Sequence, residues 1–79
     1  MTYEQAVALI PKGRYRHYKG NEYEVLEIAR HSETLEPMVV YRAYPVKLHR
    51  GLYGNGEIWV RPAIMWNELV DGKPRFEKV

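Results

Sequence analysis

Residues 22–31, Glu-Tyr-Glu-Val-Leu-Glu-Ile-Ala-Arg-His, decide how this chain folds. The stretch is strand-like, yet Tyr23 and Val25 fall on one parity and Leu26 and Ile28 on the other. Successive side chains of a strand point to opposite faces, so both apolar sets cannot share one face in a regular strand. Either the strand is covered on both sides or a β-bulge near Val25 shifts the phase. The bulge is the preferred reading, because a bulged strand bends and a bent strand wraps a small core.

The flanking segments extend this into a small β-structure. Residues 14–18 alternate Arg14, Arg16 and Tyr18 against Tyr15 and His17, and Gly20-Asn21 marks a turn before the central strand. After a polar connection from Ser32 to Pro37, residues 38–44 read as the next strand. Gly54-Asn55-Gly56 supplies positive-φ residues for a hairpin turn. Residues 57–61 alternate, and the reading places Ile58 and Val60 inward with Trp59 and Arg61 outward. Pro62 ends that strand and opens a short helical turn over residues 62–68. Asp71-Gly72 is a turn, and residues 75–79 form a last strand with Phe76 buried. At the other end Thr2 and Gln5 make a capping box for a helix over residues 2–10, with Ala6, Val7, Leu9 and Ile10 as its apolar face. Pro11 and Gly13 stop that helix. The expectation is one α+β domain over residues 1–79, mainly β: a strongly curved antiparallel sheet or SH3-like barrel with a short N-terminal helix.

Composition narrows the function. The chain has 79 residues, a formal charge of +2 and 46% hydrophobic residues, with seven tyrosines among its aromatics. A chain this short buries only about 60% of its unfolded surface, so every large ring matters. The absence of cysteine excludes disulfides, a thiol nucleophile and Cys-ligated metal. No stretch has the basic and apolar pattern of a signal peptide or the length of a membrane span, so the expectation is a cytoplasmic protein without a membrane partner.

The cations are clustered. Lys12, Arg14, Arg16 and Lys19 interleave with Tyr15, His17 and Tyr18, and residues 37–56 hold Arg42, Lys47, His49 and Arg50 without an acid. Cations meet phosphates and rings meet bases, so such a surface can grip an anionic, flat ligand. The same stretch also suits a strand with tyrosines in the core and solvated arginines. Trp59 beside Arg61 is a second binding pair, since indole stacks and guanidinium forks onto carboxylate or phosphate. Packing of Trp59 under another element is the alternative. Met65-Trp66 with Leu69-Val70 reads as packing on the end of the sheet, ahead of an exposed patch.

Catalytic and metal readings are thinner. His31, Ser32, Glu33 and Thr34 hold the parts of a nucleophile and base, but the same residues make a turn whose hydroxyls bond to backbone amides. Glu33 or Glu36 paired with Arg42 or Arg61 is a structural option. His17, His31 and His49 show no metal-ligand spacing, so neither metal nor cofactor is expected.

Several blocks resemble one family: Gly13-Arg-Tyr-Arg-His-Tyr-Lys-Gly20, Tyr23-x-Val25, Ala29-Arg-His-Ser-Glu-Thr-Leu-Glu36, Val39-Val-Tyr-Arg42, Trp59-Val-Arg-Pro62 and Arg75-Phe76. Together they resemble the bacterial domain-of-unknown-function family DUF1653 over about residues 12–77. The resemblance implies a shared fold and no mechanism. In its pattern the Val-Val-Tyr-Arg strand runs almost directly into a Leu-Tyr-Gly-x-Gly turn. Here residues 44–51, Tyr-Pro-Val-Lys-Leu-His-Arg-Gly, intervene, as a natural hairpin extension or a grafted recognition loop.

The leading expectation is a non-enzymatic binding module for an anionic planar ligand, single-stranded nucleic acid or a nucleotide, using Arg14, Arg16, Tyr18, Arg42, Trp59 and Arg61. One alternative is a small hydrolase using His17 or His31 with Glu33. Another is a protein-interaction module that meets its partner through residues 44–51.

Overall fold

The structure, a computed structural model, describes residues 1–43 and 58–79. Helix α1 (Tyr3–Leu9) precedes strands β1 (Gly13–His17), β2 (Glu22–Arg30), β3 (Pro37–Ala43) and β4 (Ile58–Pro62). Helix α2 (Ala63–Trp66), strands β5 (Leu69–Val70) and β6 (Lys73–Pro74), and strand β7 (Phe76–Lys78) follow. Five strands form one antiparallel sheet in the order β4-β3-β2-β1-β7, and β5 and β6 make a separate two-stranded ribbon. The segment 44–51, the glycine-rich turn at 54–56 and Glu57 lie outside the described residues.

The bulge sits where the phase of residues 22–31 demands it. Val25 pairs with Tyr41 and Glu27 with Val40, leaving Leu26 as the extra residue. Val25 and Ile28 are consequently both buried on the same face of β2. Each contributes about 1.5–3 kcal/mol that a regular strand would forfeit at one of the two positions.

Helix α1 is closed by its capping box: the Gln5 amide donates to Thr2 Oγ1 at 3.0 Å and the Thr2 amide to Gln5 Oε1 at 2.8 Å. Ala6 and Ile10 are buried and Tyr3 packs against the core, whereas Val7 and Leu9 are exposed. The buried stripe is thus narrower than the apolar face read from the sequence. A seven-residue helix has room for one contact line, which follows the three- and four-residue spacings from Tyr3 to Ile10.

Aromatic rings fill the core under the sheet. Trp66 stacks on Phe76 with centroids 3.6 Å apart, and the edges of Tyr15 and Tyr41 meet the indole at 5.6 and 4.9 Å. Val25, Ile28, Val39, Ala6, Ile10 and Ala63 complete it. Trp66 is buried while Met65 and Leu69 are exposed, so only the indole of that segment enters the core. Burial pushes the Tyr15 phenol up, and its hydroxyl donates to the Pro11 carbonyl at 2.7 Å, tying the α1–β1 connection to the sheet. Gly13, at φ +128°, starts β1 where a Cβ would lie 3.0 Å from Lys78 Nζ.

Strand β4 departs from the sequence reading. Ile58 and Val60 are 60% and 62% exposed, not inward. Cross-strand partners share a face, and Trp59 and Arg61 pair with Tyr41 and Val39, both core residues. Trp59 and Arg61 therefore stand on the core face and Ile58 and Val60 on the outer one. Alternation reveals which residues share a face but not which face is buried. Here β4 is the terminal strand among those described, so its apolar outer positions lack the neighbours that a central strand would have.

The sheet is coiled. Between β4 and β7 lie four strand spacings, about 19 Å if the sheet were flat. Yet the Arg61 guanidinium sits 5.8 Å from the centre of the Phe76 ring. Twist and the β2 bulge bring the two ends toward each other across the core face. Among the described residues no ladder joins β4 to β7, so the sheet is curved and open rather than a closed barrel.

Candidate functional site

The two faces of the sheet carry different chemistry. Arg14 and Arg16 on β1 and Glu22 and Glu24 on β2 share the outer face with Arg42 on β3, as the pairings Arg14↔Glu24, Arg16↔Glu22 and Glu24↔Arg42 require. Arg14 Nε donates to Glu22 Oε1 at 2.6 Å, and Arg16 reaches Glu22 Oε2 at 3.3 Å. Arg42 donates to Glu24 at 3.0 Å, a partner nearer in the sheet than Glu33 or Glu36. Lys12 meets Glu27 at 3.1 Å. Hydrogen bonding from Arg14, and then from Arg16, holds the Glu22 carboxyl below its ordinary range. Cross-strand ion pairing occupies this face, and each exposed pair contributes about 0–1 kcal/mol.

Across the sheet, Trp59 is 51% exposed on the core face, with half-buried Arg61 two residues along the strand. Of the arginines in the described residues, Arg14, Arg16, Arg30, Arg42 and Arg75 each have a carboxylate within 4.0 Å, and Arg61 has none. Its guanidinium rests instead toward the Phe76 ring. Phe76 pairs with His17 across β1 and β7, and their ring centroids are 4.9 Å apart. His17 Nδ1 accepts the Lys19 amide at 3.1 Å, which orients the imidazole beside Tyr18, 4.5 Å from ring to ring. Desolvation, then the charges of Arg75, Lys19 and Arg61, lower the His17 pKa from its ordinary value.

The six residues singled out in the sequence thus separate. Trp59 and Arg61 lie together on the core face. Arg16 and Tyr18 lie together at the end of β1, lining a cavity of about 180 Å³ with His17, Glu77, Lys78 and Val79. Arg14 and Arg42, like Arg16, belong to the outer face. Sequence reasoning placed Phe76 in the core through the last strand but not at the site, yet Phe76 is the bridge between Arg61 and His17. The signal was present in an aromatic flanked by a cation on the strand that pairs with β1.

His31 does different work. Its Nδ1 accepts the amides of Glu33 and Thr34 at 3.1 and 3.3 Å, and Thr34 Oγ1 accepts the Glu36 amide at 3.2 Å. The β2–β3 connection is therefore a side-chain-bonded turn. His17 and His31 flank opposite ends of β2, about 25–30 Å apart along the strand. Among the described residues no three His, Asp or Glu side chains converge as metal ligands, and no helix is long and apolar enough to cross a membrane.

The family model for proteins of unknown function DUF1653 matches residues 13–78. The chain belongs to the DUF1653 family. A solved structure of a DUF1653 protein from Bordetella bronchiseptica is 36% identical in sequence and superposes with a TM-score of 0.72. The match covers 89% of this chain and 87% of that one. No curated protein matches the chain. The DUF1653 fold is thus shared by proteins quite diverged in sequence, and the 13–78 match takes in both the ion-paired outer face and the Trp59–Arg61 pair.

Proposed function

We propose that this DUF1653 protein is a non-enzymatic binding module that takes an anionic planar ligand, a nucleotide or single-stranded nucleic acid, on the core face at Trp59 and Arg61. One observation carries the reading: among the described residues Arg61 is the arginine without a carboxylate partner, and it stands beside a half-exposed indole on the same face. A guanidinium offers five donors and favours phosphate or carboxylate. Residues two apart on a strand are about 6.5–7 Å apart, so a base stacked on Trp59 leaves its phosphate within reach of Arg61. The coiled sheet, with no ladder between β4 and β7 among the described residues, is in this reading a half-closed SH3-like barrel whose gap admits the ligand.

Calorimetric titration with nucleotides and short single strands tests the proposal. Arg61→Gln should weaken binding at least tenfold, and raised salt should weaken it further because phosphate contacts release counterions. Binding that survives both Trp59→Ala and Arg61→Gln would remove the site from this face.

A further inference from the structure

We infer that a second stacking position lies at Tyr18, just past the end of β1 and in ring contact with the core-face His17, so that the ligand is a single strand of several nucleotides and not a lone nucleotide. The inference rests on the Trp59–Arg61 reading and deepens it. From Arg61 the row runs without interruption through Phe76 and His17 to Tyr18, at 5.8, 4.9 and 4.5 Å between successive groups. Its inner members, Phe76 and His17, are buried or half-buried, whereas its two ends, Trp59 and Tyr18, are 51% and 48% exposed. The exposed ends are the rings that solvent reaches.

The Tyr18 end has the surroundings that a second nucleotide needs. Lys19 Nζ lies 5.8 Å from the Tyr18 ring. The cavity of about 180 Å³ beside the ring is lined by Lys78, by Glu77 and by Arg16, whose guanidinium is already paired with Glu22. Backbone geometry fixes the position, since the Tyr18 amide donates to the Arg75 carbonyl at 2.9 Å and the Gly20 amide to the His17 carbonyl at 2.7 Å. The charges of Arg75, Lys19 and Arg61 around His17 make the middle of the row favourable to a phosphate. A mononucleotide spans only one end of such a row. A strand of several nucleotides can place bases on the two exposed rings and its backbone over the cations between them, as sequence-tolerant single-strand binders do.

The test is a length series, dTMP, dT2, dT4 and dT8, with the matching uridylates, titrated into the full chain at low salt. The parent should bind the tetramers at least tenfold more tightly than the mononucleotides. Tyr18→Ala should cost the tetramers about five- to tenfold and shrink the tetramer-to-mononucleotide ratio, while Tyr18→Phe, which keeps the ring, should restore it. Equal affinity for monomer and tetramer, or a ratio unchanged by Tyr18→Ala, would overturn the inference while leaving the Trp59–Arg61 site standing. Failure of the reading beneath it looks different: Trp59→Ala and Arg61→Gln would then leave every member of the series unaffected.

Discussion

Val60 and Phe76 make opposite predictions at the scale of single residues. Val60 is exposed on the outer face, so Val60→Ala should change stability by less than about 0.5 kcal/mol. Phe76 is buried against Trp66, Tyr23 and His17, and Phe76→Ala should cost about 3–5 kcal/mol. Urea denaturation of both variants checks this, and a larger loss at Val60 would reverse the assignment of faces. His17 supplies a pH dependence. Its folded pKa lies below the ordinary value, so the unfolded chain binds more protons just below that value. Stability should be full above the ordinary histidine range and fall as pH drops toward the folded pKa. A bound anion would oppose the surrounding cations and raise that pKa, so binding should take up a proton and tighten on acidification. His17→Gln should flatten both dependences between about pH 5 and 7. Residue-level reading was most limited at β4: the pairing of Trp59 with Arg61 on one face followed from alternation, but the side facing the core depends on strand order.

Individual elements were more legible. The capping box of α1, the strands on either side of the Gly20-Asn21 turn, and the turn at His31 all follow from local chemistry that the folded chain retains. The bulge was legible because it reconciles two apolar sets that no regular strand can bury together. Deleting Leu26 should therefore send either Val25 or Ile28 to the outer face, with a loss of several kcal/mol or failure to fold, measured by thermal melting. A deletion variant of unchanged stability would show that the register shift has no role in the core. Thr2→Ala should cost about 1 kcal/mol through the lost cap. The width of the helix's buried stripe was not legible, because it depends on how much of the sheet α1 can reach.

At the scale of the whole molecule, coiling of the sheet turns separated residues into a site. Arg61 and Phe76 are on the two end strands and meet only because the sheet curves. No local pattern encodes that meeting, so the sequence alone left Arg14, Arg16 and Arg42 indistinguishable from Arg61. The distinction comes from pairing, since Glu22 and Glu24 answer the outer arginines. Arg42→Gln should accordingly leave oligonucleotide affinity within about twofold of the parent, because its charge is already compensated in the sheet. The central claim, that the core face and not the outer face receives the ligand, is tested most directly by titrating dT4 into ¹⁵N-labelled protein and following amide and indole resonances. The account predicts that the Trp59 indole and the amides of His17, Tyr18 and Arg61 shift in one saturable process. Saturable shifts confined to Arg14, Glu24, Arg42 and Val60 would contradict it.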